Sequence, residues 1–136
     1  MSQVAILGSS LEALQKAHEI LDKNPSKDIT IYTEDAEVGF PDSETFEKIN
    51  VSSALKTMPD EWVGFIPKVV GNGGESVVAH SWLCKAMVIR LAERGVRLQL
   101  RTTIISIDED LQEIHFRGGG SISSGVHSYD EMYDFR

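Results

Sequence analysis

The chain has 136 residues, with 13 Lys and Arg against 21 Asp and Glu, a formal net charge of −8 and 41% hydrophobic residues. That length suits a single domain spanning residues 1–136, and the acidic balance excludes a nucleic-acid partner that works through clustered cations. No apolar run approaches the roughly 18 residues of a membrane span, the N-terminus lacks a signal-peptide pattern, and the lone Cys84 can form neither an internal disulfide nor a thiolate zinc site. A cytoplasmic protein away from the membrane is the expectation.

Val4-Ala5-Ile6-Leu7 is a short apolar run of the kind that forms a central parallel strand buried on both faces. Gly8-Ser9-Ser10 breaks it. Leu11, Leu14, Ala17, His18, Ile20 and Leu21 then recur at helical spacing, until Asn24-Pro25-Ser26 stops the helix, because proline has no amide to continue it. Asp28-Ile29-Thr30-Ile31-Tyr32-Thr33 is rich in β-branched residues and predicts a second strand. Strand, glycine turn, helix and strand make a βαβ unit with a right-handed parallel crossover.

The middle of the chain carries fewer signals. Residues 42–49 suggest a short helix, Trp62-Val63-Gly64-Phe65-Ile66-Pro67 a strand or buried loop, and Gly71-Asn72-Gly73-Gly74 a turn or hairpin. Leu83, Cys84, Met87, Val88 and Leu91 form a helical stripe that Gly95 ends, since glycine adopts the left-handed conformation without a Cβ penalty. Alternation at Val96, Leu98 and Leu100, an extended run at residues 103–107, an acidic turn at Asp108-Glu109-Asp110 and a return strand at residues 113–117 predict an antiparallel hairpin. Residues 126–136 are polar and aromatic, with weak strand character, and residues 125–136 read as a flexible tail.

Three stretches in this order resemble the two-dinucleotide-binding-fold flavoproteins, the FAD/NAD(P)-binding oxidoreductases. Residues 4–13 are similar to a strand entering G-x-G-x-x-G/A, with Gly8 in the first position and Ala13 in the third. Residues 29–39 are similar to that family's second strand with its acidic residue and V-G-G turn. Residues 91–104 look like the helix and strand that approach the adenine end of FAD. The resemblance implies an α/β fold: a three-layer Rossmann-like domain whose parallel sheet has at least three strands, with an added antiparallel hairpin. It implies FAD as cofactor, or NAD or NADP in its place, with pyrophosphate at Gly8, Ser9 and Ser10, ribose at Thr33 or Glu34, and adenine near Ile104.

The departures bear on function. Ser10 stands where the second glycine lets the backbone approach pyrophosphate, and its simpler role is a helix N-cap. Glu12 lies in the first helical turn, where it repels phosphate. Thr33 holds the position of the ribose-binding acid, and Glu34, one step on, points to the opposite face unless the strand ends before it. Ile104 reads equally as sheet core. The family's closing strand, which ends in an A-T-G-like turn, is expected to be missing, because the chain stops at Tyr133-Asp134-Phe135-Arg136.

His18, His80, His115 and His127 lack metal-ligand spacing, Cys84 reads as a buried thiol, and no catalytic acid, base or nucleophile stands out. Two functions follow. One is a dinucleotide-binding, flavoprotein-like domain of an oxidoreductase, alone or completed by another chain. The other is a degenerate Rossmann domain without cofactor, serving as an interaction or assembly module, with a homodimer or partner subunit covering the open sheet edge.

Overall fold

A computed structural model of the chain describes residues 2–36, 38, 48–50, 59–63, 69–70, 76–118 and 124–136. Strand β1 (Gln3–Leu7) leads through the turn at Gly8 into helix α1 (Leu11–Lys23), and strand β2 (Asp28–Tyr32) returns parallel to β1. The Ser10 side chain caps α1 by accepting from the Ala13 amide at 3.3 Å, which satisfies one of the orphan donors of the first turn. At the other end the Asn24 amide closes the last turn on the Ile20 carbonyl, and Pro25 follows.

Between β2 and the next parallel strand lies an inserted segment. Strands β3 (Lys48–Asn50), β4 (Val69–Val70) and β5 (Ser76–Ala79) form a small antiparallel sheet in the order β3-β5-β4. Lys48 and Ile49 therefore sit in a strand, where a helix over residues 42–49 was expected; residues 42–47 lie outside the described residues. Residues 60–62 form a 3₁₀ turn, and Trp62 and Val63 are buried at its end, in line with the buried-loop alternative; residues 64–67 lie outside the described residues. The glycine-rich turn lies outside the described residues, but β4 and β5 pair antiparallel on either side of it.

Helix α2 (His80–Glu93) buries Leu83, Cys84, Met87, Val88 and Leu91, the stripe read from the sequence. It ends in a Schellman motif: the Val96 amide donates to the Leu91 carbonyl and the Gly95 amide to the Ala92 carbonyl, both at 3.0 Å. Gly95 takes a φ of +94° there, which a side chain would disfavour. Strand β6 (Arg97–Gln99) then joins β2 in parallel.

At Leu100 the chain leaves this sheet. Arg101 adopts a φ of 48° and its amide donates to the Asp35 carbonyl, so the alternation of Val96, Leu98 and Leu100, all packed on the helical-side core, ends there and the next extended run belongs to another sheet. Strands β7 (Thr102–Asp108), β8 (Glu113–Gly118) and β9 (Ser124–Ser128) make an antiparallel meander, one strand larger than the expected hairpin. A bulge between Ile104 and Ser106 interrupts the β7–β8 register.

The last strand, β10 (Glu131–Asp134), pairs parallel with β1, giving the sheet order β10-β1-β2-β6. This corrects two expectations. The closing strand is present, and the segment expected to carry only weak strand character supplies both β9 and β10. Its polar sequence reflects an edge position: Glu131 pairs with Lys27, and Lys16 lies 4.8 Å above the Tyr133 ring. Buried central strands have no such latitude.

Two clusters form the core. On one face of the parallel sheet, Val4, Ile6, Ile29 and Ile31 pack against Leu14 of α1 and Leu83 of α2. On the other, Ala5, Leu7 and Tyr32 meet Ile114 and Phe116 of the meander. One buried polar network pins the helices. His18 stacks on Trp62 (5.3 Å between centroids, 11° between planes), with Nε2 3.1 Å from the Met87 carbonyl and Nδ1 2.9 Å from the Arg94 guanidinium. Because guanidinium can only donate, Nδ1 accepts and Nε2–H donates. Asp22 completes the network by accepting from Trp62 Nε1 and from Arg94, each at 2.8 Å.

Candidate functional site at the carboxyl end of the sheet

In open parallel sheets, ligands bind beyond the carboxyl ends of the strands. Here that edge is made by the turn after β1, the end of β2 and the end of β10. The Gly8 amide donates to the Tyr32 carbonyl at 2.7 Å, which ties the turn to β2. Gly8 has a φ of +106°, and a Cβ there would lie 3.2 Å from the Phe135 carbonyl carbon and oxygen. The glycine thus permits both the turn and the close approach of the chain leaving β10, whose Phe135 amide donates to the Leu7 carbonyl.

Ser9 hydroxyl lies 3.0 Å from Thr33 Oγ1 and donates to Asp35 Oδ2 at 3.0 Å. Strand β2 ends at Tyr32, and the backbone then turns, with the Asp35 amide donating to Thr33 Oγ1 at 3.2 Å. Thr33 is buried, and its backbone joins β6 and β7: its amide donates to the Gln99 carbonyl and its carbonyl accepts from the Thr102 amide. The strand does end before Glu34, as a role for that residue requires. Yet the carboxylate bonded to the glycine turn is Asp35, through Ser9; Glu34 and Asp35 are both exposed.

The structure therefore joins Gly8, Ser9 and Thr33, and turns the Ser10 side chain back as the cap of α1. Ile104 lies in β7, packed against the meander core. The sequence expectation placed the acid beside Tyr32, and no local pattern singles out Asp35 instead. Charge at this edge is mixed. Glu12 lies in the first turn of α1, and Arg136 donates to both oxygens of Asp134. That pair holds the Asp134 carboxyl below its ordinary value, chiefly through the Arg136 hydrogen bond. Glu34 adds a further negative charge facing Arg136.

The arrangement offers a helix N-terminus with amides suited to anions, together with a carboxylate able to accept hydrogen bonds from hydroxyls. Among the described residues no group of His, Cys, Asp and Glu is placed to hold a metal, and no helix is long and apolar enough to cross a membrane.

No protein-family model matches the chain, and no curated protein matches it. Solved structures do. BexE, studied for oxidation during BE-7585A biosynthesis, superimposes with a TM-score of 0.71 at 11% identity over 99% of this chain and 31% of its own. The water-forming NADH oxidase from Lactobacillus brevis gives 0.62 at 16% identity, over 98% of this chain and 24% of that one. A pyridine nucleotide-disulfide family oxidoreductase from Enterococcus faecalis V583 gives 0.58 at 15% identity, over 98% and 22%. The fold is that of the Rossmann-type flavoprotein domains. The chain spans less than a third of each of these proteins.

Proposed function

We propose that the chain is a dinucleotide-binding, flavoprotein-like unit, with the pyrophosphate at the turn of residues 8–10 and the adenosine ribose facing Asp35. The observation that carries this reading is the convergence of Ser9, Thr33 and Asp35 on the glycine turn. Asp35 uses Oδ2 toward Ser9, and a ribose hydroxyl donates to the second oxygen. The first amides of α1 face the phosphates. FAD, or NAD or NADP in its place, would supply the redox chemistry, while this chain supplies position and electrostatics. No residue here is assigned an acid, base or nucleophile role.

Native mass spectrometry of the purified protein, followed by titration with FAD, NAD and NADP, tests the proposal. One dinucleotide per chain is expected. Asp35→Asn should weaken binding by about tenfold, the effect of losing one charged hydrogen bond. Ser10→Gly should strengthen it, because glycine at an N-cap costs only a few tenths of a kcal/mol and opens the approach to the backbone. Protein that stays ligand-free at millimolar dinucleotide overturns the reading.

A second reading has its own support. The Ser10 side chain is committed to the α1 cap, Ser9 to Thr33 and Asp35, and Glu12 opposes phosphate. A Rossmann domain without cofactor would use β6 or β10, the outer strands of the sheet, to assemble with a second copy or a partner chain. A ligand-free dimer in the same spectrum favours it.

A further inference from the structure

A second concavity lies at the opposite, amino end of the parallel sheet, with a volume of about 360 Å³. Strand register explains it. On the meander-facing side the rows run Gln3–Asp28, then Ala5–Thr30–Arg97, then Leu7–Tyr32–Gln99. The meander packs on Ala5, Leu7 and Tyr32, while β9 forms only a wall, through residues 126–128, beside the two outer rows. Thr30 is too small to fill the space beneath it.

The polarity of that floor is the second observation. A parallel sheet covered on both faces is ordinarily apolar on both, and here the opposite face is. This groove instead gathers the Thr30 hydroxyl, the Asp28 carboxylate and the Arg97 guanidinium, which donates to Asp28 at 3.0 Å. At its inner end Tyr32 Oη lies 2.7 Å from His127 Nδ1. Burial pushes the Tyr32 hydroxyl up to about 12 and holds His127 below its ordinary value. Both are therefore neutral at pH 7 and offer hydrogen bonds without charge. Arg97 is two-thirds exposed and keeps N–H groups beyond the one given to Asp28.

We propose that this groove binds a small hydroxycarboxylic acid. Its carboxylate accepts from Arg97, and its hydroxyls donate to Asp28 and bond Thr30 and the Tyr32–His127 pair. The size lies in the range of pockets for small organic ligands. The site is separate from the dinucleotide turn, at the other end of the same strands, so the two stand or fall independently.

The test is amide NMR of the whole chain titrated with citrate and malate, with acetate (no hydroxyl) and glycerol (no carboxylate) as controls. Saturable shifts are expected at residues 3–5, 28–32 and 126–128, with citrate or malate at least about tenfold tighter than either control. Arg97→Ala should abolish that preference. Thr30→Val, which keeps the shape and removes the hydroxyl, should weaken binding several-fold in a fold whose far-UV spectrum is unchanged. No saturable shift with citrate or malate at about 10 mM, shifts confined to residues 8–10, or equal binding by Arg97→Ala would each overturn the proposal.

Discussion

The two faces of the parallel sheet are built from alternate residues of the same strands and serve different ends. The face under α1 and α2 takes Val4, Ile6, Ile29 and Ile31, all nearly or wholly buried. The face under the meander takes Ala5, Leu7 and Tyr32 into its core but also Thr30, with Gln3 and Asp28 at its amino end. Two helices give one face continuous cover, whereas three short strands cover only part of the other. The helical side therefore supplies cohesion and the meander side keeps open polar space.

Truncation on the two faces should show this difference most visibly. Leu14→Ala removes a fully buried side chain between α1 and the sheet and should cost about 2–5 kcal/mol, the usual range for such cavities. Thr30→Ala, beside the groove, should cost less than about 1 kcal/mol, because its environment is already open. Urea unfolding at pH 7 compares them. Similar losses would mean that the meander face is as closely packed as the helical one.

The helical face also contains the strongest pH dependence. Burial lowers the His18 pKa from 6.5 to about 4, outweighing the hydrogen bond to Met87. The folded state holds His18 neutral where the unfolded chain protonates it, so the unfolded state binds more protons between these values. Stability therefore falls as pH drops below 6.5, and the loss is complete near pH 4, at on the order of 3 kcal/mol. Lowered carboxyls such as Asp22 and Glu131 act in the same direction, but at lower pH. Urea midpoints taken from pH 7 to 4.5 should slope downward in the native chain and less steeply in His18→Gln, where the lowered His127 still contributes, each slope being read within its own series. Parallel slopes would remove His18 as the cause.

Legibility followed how local the determinants are. β1, α1, β2 and α2 were readable because period and punctuation lie within each element, as in Gly95 after the α2 stripe. β10 was not, because its partner β1 lies more than 120 residues away and an edge strand needs no apolar run. The meander's third strand hid for the same reason: Ser124–Ser128 alternates exposed and half-buried residues. At the candidate site the glycine turn was visible, but Asp35 was not. Its position depends on the chain bending after Thr33 and on contacts from Ser9 and Arg101, none of which is encoded in a local pattern.

A substitution at Gly8 separates the turn's two roles. Gly8→Ala imposes a side chain at a φ of +106° and 3.2 Å from the Phe135 backbone. Holding a non-glycine residue in such a conformation costs about 1–3 kcal/mol. The close approach is to backbone, which cannot swing aside as a side-chain tip would, so β10 must shift. Amide exchange should then accelerate at residues 131–135, above all at Phe135, whose amide donates to the Leu7 carbonyl, while α2 stays protected. If exchange rises only at residues 8–10, the glycine serves the turn alone and β10 does not depend on it.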